Sequence, residues 1–134
     1  MFYVKLRCKN AILRVSDKEA GKNIPENMKL HNSLGIDIGS TTVKIAVLDS
    51  DNHILFADYE RHYANIQETL ALLLSRAKEK LGEMTVRASI TGSGGLTLSR
   101  HLNIPFTQEV VAVATALQAY APQTDVAIEL GGED

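Results

Sequence analysis

Three consecutive segments, beginning at Leu34, carry hydrophobic residues at every second position. The apolar positions of the first two segments are Leu34, Ile36 and Ile38, and then Val43, Ile45 and Val47. The third segment, "HILFADYERHY" at residues 53–63, also has β-strand character. A period of two predicts strands, and the stretches "GSTT" and "DSDN" between them are rich in turn residues. Three strands with such short connections favour an antiparallel meander.

A helical period follows the three strands. The apolar stripe comprises Ile66, Leu70, Leu73, Leu74, Ala77 and Leu81. Asn65, with Glu68 three residues later, predicts a capping box at the start of this helix, and Gly82 suits its end.

The rest of the chain alternates between strand and helix patterns. "TVRASI" predicts a strand, "LTLSRHL" a short helix, and "PFTQEVVAVATALQAYAP" a further helix closed by Pro122. "DVAIEL", at residues 125–130, predicts a last strand. The order βββαβααβ indicates an α/β fold, in which helices flank a mixed sheet containing an antiparallel β-meander.

Residues 1–33 differ in character from the rest. "FYVKLRC" and "AILRV" each predict a short strand, and the polar stretch at residues 16–32 reads as a linker. Met28 precedes the first motif closely, as a start codon would. We therefore expect an N-terminal extension at 1–33 and a domain at 34–134, and we expect residues 1–27 to be dispensable or a consequence of the assigned start.

Composition excludes several classes of protein. The 134 residues carry a net charge of −2, which argues against nucleic acid as a partner. Cys8 is the single cysteine, so no internal disulfide forms and a reducing, cytoplasmic setting fits. No apolar run predicts a membrane helix or a signal peptide. The four histidines show no spacing typical of metal ligands, and we expect them to be solvated or to cap turns.

The stretch "DIGSTTVK", residues 37–44, holds candidate chemistry. A tight glycine turn directs backbone N–H groups to one place and forms an anion-binding concavity. The hydroxyl groups of residues 40–42 add donors, and the Lys44 ammonium adds a charge that phosphate attracts. Asp37 is placed to hold Mg²⁺, directly or through water. A plain β-hairpin with a Gly-Ser turn explains the same residues equally well.

Two further glycine loops follow predicted strands. "IELGGED", residues 128–134, combines glycines with carboxylates that suit a metal, although a turn near a chain terminus explains it as well. "TGSGG", residues 91–95, allows a ligand or another backbone to come close. A flexible loop that starts a helix is an equal alternative.

Together "GIDIGSTTVKIAVLD", "ITGSGG" and "VAIELGGED" resemble the N-terminal lobe of the BadF/BadG/BcrA/BcrD-type ATPases. This family contains the activators of 2-hydroxyacyl-CoA dehydratases and benzoyl-CoA reductases, and the likeness is greatest to the long CoA-substrate-specific enzyme activases. The resemblance covers residues 34–134. It implies a ribonuclease-H-like lobe of the actin, sugar kinase and heat-shock chaperone ATPase superfamily.

The resemblance also implies site residues. Asp37 and Glu129 take catalytic roles, and Asp37, Glu133 and Asp134 hold Mg²⁺. The residues implied to bind the ATP phosphates are Gly39, Ser40, Thr41, Thr42, Lys44, Gly131 and Gly132. The shorter activators tend to have Asp where this chain has Glu129 and Gln where it has Glu133, so these two roles depart from the family pattern.

The implied function is that of one lobe of a larger enzyme. ATP binds between two lobes, and its hydrolysis drives an electron from an iron–sulfur cluster, shared by two subunits, to a dehydratase or reductase. The cluster cysteines and the adenosine-binding lobe follow this region in the family, so we expect the chain alone to be inactive. A lobe separated from its partner also exposes apolar surface, so we expect the chain to self-associate. The alternatives are a lobe of a small-molecule kinase, such as an N-acetylhexosamine kinase, and a non-catalytic nucleotide-binding or assembly module.

Overall fold

A computed structural model describes residues 2–7, 12–17 and 32–128. Within these ranges the chain forms six strands and three helices. The elements are β1 (Phe2–Arg7), β2 (Ile12–Asp17), β3 (Asn32–Ile38), β4 (Thr42–Leu48), β5 (Ile54–Arg61), α1 (Ile66–Leu81), β6 (Thr85–Thr91), α2 (Gly95–Leu102) and α3 (Glu109–Tyr120).

The described strands form one mixed sheet in the order β2-β1-β6-β3-β4-β5. The pairs β3–β4 and β4–β5 are antiparallel, and β3–β6 is parallel. The predicted meander and the predicted α/β fold class, a mixed sheet with flanking helices, are therefore confirmed. The parallel pair places the ends of β3 and β6 side by side, which matters for the site.

The hydrophobic core lies between one face of the sheet and α1. The alternating residues of β3, β4 and β6 are buried, and so is the predicted stripe of α1 from Leu70 to Ala77. Leu73, at 0% exposure, sits at its centre. Truncating such a leucine to alanine typically costs about 2–5 kcal/mol, so this layer supplies much of the fold's stability.

The capping box predicted at the start of α1 is wrong. Asn65 occupies the N-cap position, but its side chain makes no capping hydrogen bond. In a capping box, the Glu68 side chain would accept a hydrogen bond from the Asn65 N–H. Here the Asn65 N–H donates to the His62 carbonyl at 2.6 Å. A tight turn before the helix has taken the place of the reciprocal cap.

The predicted last strand is also wrong where the structure describes it. Residues 125–128 are irregular and exposed, and residues 129–130 lie outside the described part. The edge of β6 that faces away from β3 has partners at both ends. β1 pairs with Thr85–Arg87, and the backbone of Ile90 bonds to Pro105 and Thr107. β3 pairs with the other edge, so both edges of β6 have partners.

The N-terminal strands follow the prediction. β1 and β2 form an antiparallel hairpin, and β1 pairs with β6 over three residues. The predicted linker lies almost entirely outside the described residues. Among the described helices, none combines the length and apolar character needed to cross a membrane.

Candidate functional site

The predicted phosphate loop is the turn at residues 39–42 between β3 and β4. The Gly39 N–H donates to the Thr42 carbonyl at 2.9 Å and closes the turn. Ser40 is exposed and Thr41 is half-buried. Within the described part of the chain, the Ser40 and Thr41 N–H groups meet no protein acceptor. Backbone donors are therefore available here to an anion.

Asp37 and Lys44 face each other where the hairpin begins. They are register partners, and the Lys44 Nζ lies 3.3 Å from the Asp37 Oδ2. The Lys44 side chain is 57% exposed and that of Asp37 is 32% exposed. An ion pair this exposed contributes about 0–1 kcal/mol, so packing stability gives little reason for it. Both charges remain accessible to a ligand.

The "TGSGG" loop packs directly against the end of β3. Gly92 has φ +95°, and a Cβ there would lie 2.3 Å from the Ile38 carbonyl oxygen and 2.5 Å from the Asp37 Oδ1. The Gly94 N–H donates to the Ile38 carbonyl at 2.9 Å. The sequence predicted that either a ligand or another backbone segment approaches this loop, and the backbone of β3 does so. The glycines bring this loop to the carboxylate of Asp37, and α2 begins at its last residue, Gly95.

Thr91, the first residue of that loop and the last of β6, lies beside Asp37 in the sheet. It is the register partner of Asp37 across the parallel pair. Its Oγ1 is buried and has no hydrogen-bond partner among the described residues. Carboxylate and hydroxyl oxygens are hard ligands of the type Mg²⁺ takes, either directly or through its bound waters. The donor set beside Asp37 thus fits a magnesium ion.

His62 contacts the turn, and the sequence analysis did not identify it. Its side chain is buried at 8% exposure, and its Nε2 lies 3.1 Å from the Gly39 carbonyl oxygen. Of the two roles expected for the histidines, solvation does not hold for this residue, whereas capping of a turn does. The signal that would have found it is the β4–β5 register, which pairs Thr42 with Arg61 and so places the next residue beside the turn.

A second group of polar residues lies in the β4–β5 turn, at the other end of the hairpin. Ligand atoms of Asp49, Asp51 and His53 lie within 4.8 Å of one another. The Asp49 carboxylate accepts the N–H groups of Asp51 and His53 and contacts the His53 ring at 3.1 Å. The hydrogen bond from the His53 N–H is the largest cause lowering the Asp49 pKa. Hydrogen bonding accounts for this group, and His53 caps a turn as predicted.

Five of the expected site residues are not described. Glu129, Gly131, Gly132, Glu133 and Asp134 lie outside the described residues, as does Cys8. The structure brings together Asp37, the turn at 39–42, Lys44 and the loop at 91–95. These are the residues expected in the first half of the site.

Comparison with solved structures identifies the fold. Component A of (R)-2-hydroxyglutaryl-CoA dehydratase from Acidaminococcus fermentans matches with a TM-score of 0.55 and 20% identity, covering 70% of this chain and 37% of that chain. The activator of 2-hydroxyisocaproyl-CoA dehydratase from Clostridium difficile, with bound ADPNP, matches with a TM-score of 0.49 and 19% identity. The latter match covers 69% of this chain and 35% of that chain.

The chain spans little more than a third of the length of these proteins. No protein-family model matches the chain. No curated protein matches it. At this identity the first match establishes the fold alone. It confirms, for the fold, the resemblance to dehydratase activators that the three motifs indicated.

Proposed function

We propose that residues 34–134 form the N-terminal lobe of an ATPase that activates a CoA-thioester dehydratase or reductase by ATP-driven electron transfer. One observation carries the proposal. Asp37, the open N–H groups of the turn at 39–42, Lys44 and the glycine loop at 91–95 converge at one end of the sheet. They do so on a fold shared with the activator component of a dehydratase.

The residues divide the work of holding a metal–phosphate group. Asp37 and Thr91 offer oxygens to Mg²⁺, and Lys44 with the turn at 39–42 offers N–H, hydroxyl and ammonium donors to phosphate oxygens. Magnesium, when bound, neutralises charge on the phosphoryl group as it is transferred. The turn is closed by its own backbone bond, so its donors need little reorganisation to stabilise that charge.

The second half of the proposed site rests on the sequence. Gly131 and Gly132 would approach the phosphates closely, Glu129 would act in catalysis, and Glu133 and Asp134 would hold the metal. The adenosine-binding lobe and the iron–sulfur cluster would belong to the remaining two-thirds of an activator-length protein. We therefore propose that this chain alone does not turn over ATP, and that the whole protein acts in the cytoplasm.

Self-association is part of the proposal. α3 is strongly apolar, yet none of its residues is buried. Val110 is 78% exposed and Tyr120 is 55% exposed. A helix this apolar is normally covered. We propose a second copy of the chain as the cover, consistent with activators that share one cluster between two subunits.

A titration of the ¹⁵N-labelled chain with tripolyphosphate, with and without Mg²⁺, tests the phosphate site without the adenosine half. Amide shifts should concentrate at residues 39–44 and 91–95 and should depend on magnesium. Asp37→Ala should remove the magnesium dependence, whereas Asp51→Ala, an exposed carboxylate in the β4–β5 turn, should leave it intact. Amide shifts that do not depend on magnesium would contradict the proposal, and so would an Asp37→Ala chain with the same magnesium dependence as the wild type.

A second experiment addresses the activity of the whole protein. The longest polypeptide that the gene encodes is expressed without oxygen, and iron content and ATPase rate are measured on one sample. Bound iron with ATP turnover supports an activase. Turnover without iron would indicate a small-molecule kinase, and neither in a folded protein would indicate a binding module.

A further inference from the structure

His62 lies where the β4–β5 ladder ends and the phosphate loop begins. Thr42 pairs with Arg61, the last residue of β5, so His62 lies beside the turn. The His62 backbone N–H donates to the Thr41 carbonyl at 3.0 Å, and the ring Nε2 lies 3.1 Å from the Gly39 carbonyl oxygen. One buried residue therefore contacts two of the carbonyls of the turn.

The contacts of the ring favour one tautomer. The Ala64 N–H donates to the His62 Nδ1 at 3.0 Å, so Nδ1 carries a lone pair and no proton. Nε2 then carries the proton and donates it to the Gly39 carbonyl. These contacts favour the Nε2–H tautomer, held from both sides by backbone groups.

The two hydrogen bonds that His62 donates to the Gly39 and Thr41 carbonyls orient the peptide groups of the turn. In a trans peptide the C=O and the N–H point in opposite directions. With the Gly39 and Thr41 carbonyls directed at His62, the N–H groups of Ser40 and Thr42 are directed away from it. The Ser40 N–H is one of the donors that meets no protein acceptor within the described residues. The histidine thereby presents backbone donors on the opposite side of the turn.

The chain after His62 is strained, and the strain serves this arrangement. Tyr63 has φ +43° and Ala64 has φ +69°, although neither is glycine. Each left-handed residue costs about 1–2 kcal/mol. The two together return the Ala64 N–H to the ring, and the Asn65 N–H to the His62 carbonyl. Strained residues of this kind concentrate at functional sites because the surrounding structure must hold them.

We infer that His62 is a positioning residue for the phosphate-binding turn: it fixes the Gly39 and Thr41 carbonyls so that the N–H groups of the turn face the phosphate. This inference rests on the proposed function. His62 itself does not touch the ligand. Residues that orient metal ligands typically contribute 10–100-fold to metal affinity or activity, and we expect an effect of the same order for a residue that orients this turn.

A pair of amide substitutions separates the two ring nitrogens. In His62→Gln the side-chain amide reaches the position of Nε2 and can still donate to the Gly39 carbonyl. In His62→Asn the amide oxygen replaces Nδ1, which keeps the contact with Ala64 but loses the one with Gly39. His62→Phe retains the volume of the ring and loses both hydrogen bonds.

Binding of magnesium tripolyphosphate is measured from amide shifts for the wild type and each variant, alongside thermal melting. We expect the dissociation constant to rise roughly 10–100-fold for Asn and Phe and to stay near the wild-type value for Gln. Equal binding by Gln and Asn variants of equal stability would overturn the inference. Should the Phe variant not fold, the Gln and Asn pair still decides.

Nitrogen-15 spectra of the His62 ring make failure of the inference distinguishable from failure of the proposed function. If the wild type binds no tripolyphosphate, the proposed function fails, and the ring spectra alone judge the hydrogen bonds. An Nε2–H tautomer, with the Gly39–Ser40 amide shifts altered more by Asn than by Gln, supports the positioning of the turn. A charged ring or the Nδ1–H tautomer overturns it.

Discussion

Replacing Gly92 with alanine should disturb both the fold and the site. The residue has φ +95°, a backbone conformation that is unfavourable for residues with a Cβ. The added Cβ would lie 2.3 Å from the Ile38 carbonyl oxygen and 2.5 Å from the Asp37 Oδ1. The first of these atoms is backbone inside the sheet, so it cannot move aside cheaply.

The magnitude follows from these two effects. The left-handed conformation costs a residue with a Cβ about 1–2 kcal/mol. Overpacking against a rigid neighbour adds about 1–3 kcal/mol. The sum, about 2–5 kcal/mol, lowers the melting temperature by roughly 8–20 °C for a domain of this size. Displacement of the Asp37 carboxylate should also weaken magnesium tripolyphosphate binding.

Two other glycines provide matched controls. Gly82 has φ +77° and ψ −167°, a conformation adopted almost only by glycine, but no atom lies within 4 Å of a Cβ there, so Gly82→Ala should show the strain alone, about 1–3 kcal/mol. Gly35 lies in β3 with no positive φ and open space around it, so Gly35→Ala should be neutral or stabilise the chain by about 0.5–1 kcal/mol. Thermal melting of all three variants is the assay. Gly92→Ala melting no lower than Gly82→Ala would refute the close approach of the loop to β3.

Three further predictions concern the rest of the molecule. Folding lowers the pKa of Asp49, so the ionised carboxylate stabilises the folded state. This stabilisation is complete at pH values above the ordinary pKa of ~3.9 and is lost as the pH falls through the lowered pKa. The stability gap between the wild type and Asp49→Ala, measured by urea unfolding, should therefore narrow as the pH falls below ~4; a constant gap would contradict this. Val110→Lys should reduce self-association in light scattering at high concentration, and Gln118→Lys, at an exposed polar position of the same helix, should not; a wild type that stays monomeric would refute the self-association. A chain begun at Met28 should still fold, with some loss of stability at the uncovered edge of β6, and a failure to fold in circular dichroism would show that the hairpin is essential.

Much of the fold could be predicted because it depends on local periodicity. The alternation at Leu34–Ile38 identified β3 because side chains in a strand face opposite sides, and the stripe of α1 was equally clear. The errors arose where another group took the place of the expected partner, a neighbouring carbonyl at the helix cap and a distant strand at the sheet. The Asn65 N–H bonds to His62 rather than to Glu68, and the edge of β6 is already covered where a last strand would pair.

The sequence by itself determined which residues could hold a phosphate: the glycine turn, its hydroxyl groups, Asp37 and Lys44 follow one another in a single hairpin. Only the tertiary structure decided what surrounds them. The parallel pairing of β3 with β6 brings Thr91 and Gly92 to Asp37, and the β4–β5 register brings His62 to the turn. Strand order depends on contacts between residues far apart in the chain, and a local period of two does not identify the partner strand, as the parallel pairing of β3 with β6 shows.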